Sequence, residues 1–304
     1  MVDIDWALET TLDRMFLELS NSGRWGSSDE LGTLNFITPE VRRRAAGLVT
    51  DGCVVSIGHD LDAEESEKNP HPIGHNVTIG SGSDEGCVFD ELRIAPHGYA
   101  TTHLDALTRV FRDQDGYNGR TVEGVVSPAG LSFASIWTQR EGIVTRGALL
   151  DVATSRGVEW LEAGEGITVV DLEEAERRQG IKVDTGDCLL IHTGLAKRER
   201  RLRNEDPRQR AGLLPACLRW LHEREIAVYP GDCAECVPTP YSRYLIPLHN
   251  IGLASMGLAL LDNTAVGPLA VECTLRGRWV FLFMAAPLRL QGGTGSPVNP
   301  LCVF

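Results

Sequence analysis

The 304-residue sequence has no surplus of positive charge: 29 Lys and Arg stand against 42 Asp and Glu, a formal net charge of −13. That sign argues against a nucleic-acid backbone or an anionic membrane as partner. Long hydrophobic runs are missing. The most apolar stretch, residues 279–287, is far too short to span a bilayer. The opening MVDIDWALETTLDRMF has no basic start followed by an apolar core, so no secretory signal is expected there. The eight cysteines lack the regular spacing of a disulfide framework, and a reduced, cytoplasmic protein is expected. Cys233-Ala-Glu-Cys236 is a C-x-x-C pair without the second pair a zinc knuckle needs. Pro230-Gly231-Asp232 before it suggests a loop, not the helix start of a redox motif, so packed thiols are expected. Internal repeats and low-complexity linkers are absent. The basic run 198–203, next to Glu205 and Asp206, reads as a solvated helix face.

What is present is an ordinary globular balance, 42% apolar and 23% charged, with 32 Gly and 15 Pro marking many turns. Thr38-Pro39-Glu40 opens a capped helix expected to end before Gly52. Strands are expected over 53–58, within 84–96, and over 145–153, 186–193, 226–229 and 278–290. Helices are expected over 171–180, capped by Asp171, over 207–225, and over 249–257. Strands outnumber long helices and do not alternate strictly with them, which predicts a mixed α/β domain. The tail 292–300 reads as turn-rich, after the last ordered strand.

The segment 97–109 carries the chemistry. Within it, His97, His103 and Asp105 are set among small and apolar residues. Residues two apart point to the same side of a strand, so His103-x-Asp105 can bring an imidazole and a carboxylate together. Such a pair can hold a divalent metal or relay a proton.

Five segments, in order, resemble the longer members of the cyclase family, relatives of bacterial kynurenine formamidase and isatin hydrolase. They are Gly23-Arg-Trp25-Gly through Asn35 to Glu40, the Thr-His-x-Asp motif at Thr102–Asp105, Gly186-Asp through His192-Thr-Gly, Pro247-Leu-His249 with Gly257 and Asp262-Asn263, and Gly292-Gly-Thr-Gly-Ser-Pro-Val-Asn299-Pro300. The resemblance runs from about residue 20 to the end. It implies a swivelling β/β/α-type domain over residues 1–304, with a helical extension at 1–20 and a turn-rich tail at 291–304. It also implies assembly as homodimers or homotetramers, and hydrolysis of a formamide, imide or lactam bond at a zinc or manganese site.

By the same resemblance His103, Asp105 and His249 are metal ligands, and Asp262 stands where a shorter relative carries a ligand glutamate. Tyr99 replaces a family histidine, with His97 two residues earlier. Arg109 replaces a histidine thought to shuttle protons. An arginine offers no lone pair and no general base, but it can bind a carboxylate or an oxyanion. Either it turns outward to Asp113 or Asp115, or it occupies the metal region as a fixed charge. Proton transfer then falls to His97 or His249, with Tyr99, Asp232 and Glu235 as further candidates. Trp25, Tyr99 and Asn35 are candidate substrate contacts, Asn35 alternatively fixing its loop. The insert 64–86 is expected to shape the entrance.

The leading expectation is therefore an enzyme attacking a carbonyl centre of a small cyclic or aromatic amide, imide or lactone with metal-activated water. The second is a metal-independent cyclase, dehydratase or rearrangement enzyme of secondary metabolism that uses Arg109. The third is an inactive homologue that binds a small molecule.

Overall fold

The structure, a computed structural model, describes residues 8–202 and 206–304. The start of the expected helical extension, residues 1–7, together with Arg203 of the basic run and Glu205 next to it, lies outside the described residues. Nine strands form one sheet. In chain order they are β1 (Val54–Ser56), β2 (His103–Asp105), β3 (Ile143–Asp151), β4 (Cys188–His192), β5 (Val228–Pro230), β6 (Ala259–Asp262), β7 (Val280–Ala285), β8 (Gly295–Pro297) and β9 (Leu301–Val303). Their order across the sheet is β1-β9-β7-β3-β4-β5-β6-β2-β8. The central four, β3-β4-β5-β6, run parallel, and antiparallel strands flank them on both sides.

The apolar runs of the central strands follow from burial on both faces. Leu150, Ile191, Tyr229 and Leu260 enter one buried cluster, while Leu149, Leu190, Val228 and Leu261 enter another. Leu104 joins the second cluster, so its neighbours His103 and Asp105 face the side of the first. The predicted mixed α/β class is what the chain adopts.

Local chemistry sets the helix ends. Thr38 Oγ1 accepts from Val41 N to open helix Pro39–Ala46, which stops at Gly47, not near Gly52. Helix Val169–Gln179 is capped by Thr168, and Asp171 sits three residues in as the reciprocal half of a capping box. Gly180 closes it in the left-handed region. The helix expected over 207–225 shrinks to Cys217–Glu223. Upstream of it, Leu213 N donates to Ala234 O and Leu214 N to Ile167 O, so those amides are spent on neighbouring segments. Helix Leu195–Arg201 is not wholly solvated, because Arg198 is buried. At the N-terminal end, helix Glu9–Glu18 is more than an extension: Leu12, Met15 and Phe16 are buried in the main core.

Strand β7 is shorter than expected, and order continues past it. The tail contributes β8 and β9, which pair with β2 and with β1 and β7. Gly74–Ile79, in the insert, pairs with Val88–Arg93, the strand expected within 84–96, as an exposed two-stranded ribbon. No helix among the described residues is long and apolar enough to cross a membrane.

Candidate active site

The site lies where β2 is wedged between β6 and β8. Register places His103 opposite Asp262 on one side and Pro297 on the other, and Asp105 opposite Gly295. His103 and Asp105 converge as the i, i+2 spacing predicts: Nε2 and Oδ1 are 3.5 Å apart. Both side chains are essentially inaccessible to solvent. His103 Nδ1 lies 2.9 Å from Thr101 O, so it carries the proton and leaves the Nε2 lone pair facing inward. His97 reaches the same point, with Nδ1 3.3 Å from Asp105 Oδ1. Its other nitrogen is 3.0 Å from Thr294 Oγ1, in the tail.

His97 Nδ1, His103 Nε2 and Asp105 Oδ1 are buried and have no hydrogen-bond partner. Three orphaned buried polar atoms gathered at one point are costly unless something joins them. Four-coordinate bonds of about 2.0–2.2 Å put neighbouring donors roughly 3.3–3.6 Å apart, so these residues fit a divalent ion. A second group, Asp105, His249 and Asp262, shares the same aspartate. Its histidine is already engaged: Nδ1 is 2.6 Å from Glu235 Oε1 and Nε2 is 2.9 Å from Asp262 Oδ2.

Electrostatics match that engagement. Burial works against a charged His249, but Asp262 and Glu235 on either side raise its pKa well above the ordinary imidazole value. Burial likewise opposes an ionised Asp262, yet His249, His103 and Arg109 hold it well below the usual carboxylate range. His249 stands in the first turn of a π-helix, Leu248–Met256. Glu235 holds this turn twice over, since it also accepts from Leu248 N at 2.6 Å.

Arg109 does neither thing expected of an outward side chain. Nη1 donates to Asp105 Oδ2 at 2.7 Å, while Asp113 pairs with Arg112 and Arg243. The arginine therefore takes one oxygen of the shared aspartate and leaves the other to the histidines. It also lines a cavity of about 250 Å³ together with Tyr99, His103, Glu235, His249 and Asp262.

The structure does not bring every candidate here. Trp25 packs edge-on against Phe36, with ring centroids 5.1 Å apart, and does not line the cavity. Asn35 donates to Asp29 Oδ1 and Gly32 O, so it fixes its own loop, and it does not line the cavity. Asp232 is spent on the amides of Thr193 and Leu195. Ribbon residues of the insert stay off the cavity wall; Ser66–Lys68 line a neighbouring cleft that shares Arg210 with it. Cys233 and Cys236 are buried free thiols, as expected.

Arg210 was not visible as a site residue. It is buried, stacks on the Tyr99 ring at 5.0 Å and leaves Nη2 without a hydrogen bond. Thr294 and Asn263 were missed as well; Asn263 donates to Gly98 O and Thr101 O. Both fall in segments that carry the family resemblance, but spacing alone gives them no role, because each acts through a contact far along the chain.

A family model described as Cyclase matches residues 55–235, more than half of the chain. The protein belongs to the cyclase family. Among solved structures it is similar to a crystal structure of a novel cyclase, with 28% identity and a TM-score of 0.85, covering 94% of this chain and 100% of that one. It shares its fold with isatin hydrolase A from Labrenzia aggregata bound to benzyl benzoate, with 18% identity and a TM-score of 0.60, covering 85% of this chain and 94% of that one. A structure described as a potential metal-dependent hydrolase with cyclase activity has 14% identity and a TM-score of 0.50, covering 83% and 97%. No curated protein sequence matches the chain.

Proposed function

We propose that this chain is a metal-dependent hydrolase acting at the carbonyl centre of a small cyclic or aromatic amide, imide or lactone. The observation that carries the reading is the convergence of His97 Nδ1, His103 Nε2 and Asp105 Oδ1, buried and unpartnered at the edge of a cavity. Structural neighbours described as an isatin hydrolase and a metal-dependent hydrolase support it.

His97, His103 and Asp105 would hold the ion, zinc or manganese, with Asp262 across the register from His103. Bound there, a divalent ion supplies an acidified water and a Lewis acid for the carbonyl oxygen. The rest falls to the protein. Thr101 and Thr294 orient the two imidazoles, as outer contacts do for ligating histidines. Arg109, fixed by Asp105, offers its remaining donors to a developing oxyanion or a product carboxylate. His249, gripped between Glu235 and Asp262, would pass a proton from Nε2 to the departing group once that group displaces Asp262 from it. A cavity of about 250 Å³, below the ~300–1,000 Å³ typical of drug-sized ligands, suits a small ring system.

Loading purified protein with zinc or manganese, measuring metal content, and assaying isatin, an N-formyl aromatic amine, a cyclic imide and a lactone tests this. Stoichiometric metal and hydrolysis, both lost in His103→Ala, are expected. One contact favours a second reading: the Arg109 cation, 2.7 Å from Asp105, places a fixed charge beside the ligand group. Metal-free protein whose turnover of the same panel resists chelators selects that metal-independent reading over the first.

A further inference from the structure

A second cavity among the described residues is larger than the one described above. A hollow of about 660 Å³ opens at the carboxyl ends of β3 and β4, between helices Leu195–Arg201 and Val266–Arg276. It has no lining residue in common with the candidate active site. In open parallel sheets the carboxyl ends of the strands are where ligands collect, and this volume lies inside the range of small-molecule sites.

Its apolar wall is built from Val158, Val266, Ala270, Val271 and Leu275. Half of its lining residues are polar or charged, and most of those are spoken for. Asp151 accepts from Thr154 N and Oγ1 and from His192 Nδ1, the last at 3.0 Å. Asp232 is bound by Thr193 and Leu195, and Glu159 by Lys197. What is left over is positive. His192 Nε2 has no hydrogen-bond partner among the described residues, yet it is not a buried atom. Arg200 lies at the rim, exposed and with no ion pair among the described residues. Burial opposes a charged His192, but its bond to Asp151 and the charges of Asp232 and Asp151 raise its pKa from the ordinary value.

We propose that this hollow is a second small-molecule site, selective for an amphipathic monoanion: a carboxylate on an aryl or branched aliphatic body. The carboxylate meets His192 Nε2 and Arg200, and the body lies on the valines and Leu275. The site is independent of whether the first cavity hydrolyses anything, so the two readings stand or fall separately.

Indole-3-acetate and its neutral amide are the probes, followed by ligand-observed NMR and calorimetry on the full chain. The acid is expected to bind at least about tenfold more tightly than the amide. Arg200→Ala should weaken the acid by about tenfold, and Val271→Trp, which fills the hollow from its exposed wall, should abolish binding. His103→Ala should leave it unchanged. Equal binding of acid and amide overturns the carboxylate preference. Binding that survives Val271→Trp but is lost in His103→Ala places the probe in the first cavity and overturns the site. So does an absence of binding up to ~1 mM acid. A dimer split by Leu275→Arg, with no probe bound, would also overturn the proposal, because a second copy would then cover the hollow.

Discussion

Arg109 and Asp105 are joined through a single oxygen: Nη1 donates to Oδ2 at 2.7 Å, and Oδ1 is left facing His97 and His103. One aspartate is thus divided between a permanent cation and a pair of imidazoles. Because like charges in a partly buried site repel, the arginine competes with any ion the histidines bind. Arg109→Ala is expected to raise zinc affinity by about tenfold, ~1.4 kcal/mol, measured by competition with a chromophoric chelator. An unchanged or lower affinity would show that the arginine's main effect is to position Asp105.

Gly295 faces Asp105 in the register and supports His97 from behind. A Cβ built there would lie 2.5 Å from His97 Cε1. The ring must then shift from its place. Gly295→Ala is expected to lower metal affinity at least about tenfold while the far-ultraviolet circular dichroism stays the same. Full metal retention in that variant would remove His97 from the ligand set.

Glu235 links the loop after β5 to the π-helix through His249 and Leu248 N. Replacing it by Gln keeps acceptor oxygen for one of these donors but removes the charge beside the imidazole. Turnover in Glu235→Gln should fall about 10- to 100-fold, the usual effect of losing an outer partner. A KM that rises with kcat intact would instead make Glu235 a binding residue.

The His192–Asp151 pair predicts a pH dependence of stability. Folded His192 has a raised pKa, so its contribution is complete below the unfolded value near 6.5 and fades as pH climbs through the folded value. Asp151 has a lowered pKa, set by His192 and Thr154 against the opposing effect of burial. Its contribution is complete above about 3.8 and is lost as pH falls through the folded value. Denaturant titrations of wild type and His192→Gln should differ most between about pH 4 and 6.5, by ~1–3 kcal/mol. A difference that grows above pH 8 would contradict the pairing.

Thiol chemistry should sort by burial. Cys87 is exposed, whereas burial pushes the Cys217, Cys236 and Cys273 thiols up to about 12. Native protein is expected to take up iodoacetamide first at Cys87, with Cys188, Cys233 and Cys302 silent until denaturant is added. Peptide mapping that finds Cys233 or Cys236 alkylated early would mean the loop after β5 opens in solution.

The motif at 97–105 was legible because its chemistry is local. An extended chain places every second side chain on one face, so His103 and Asp105 had to converge once they formed a strand. The buried strands were legible for the same kind of reason, as short apolar runs bounded by turn residues. The stretch 207–225 misled because its helical spacing competes with backbone partners that no pattern announces: Leu213 and Leu214 bond to loops near residues 234 and 167. The tail misled in the opposite direction. Its glycines read as turns, yet they let β8 press against β2 and bring Thr294 to His97.

The sequence by itself determined the α/β class, the acidic character and the imidazole–carboxylate pair, since each follows from composition or from spacing over a few residues. Tertiary structure alone decided which partner Arg109 takes, that Asp262 lies across the register from His103, that Glu235 grips His249, and that Trp25 and Asn35 stay outside the cavity. Those outcomes depend on contacts between segments tens to hundreds of residues apart, and strand order across the sheet, not local preference, sets such contacts.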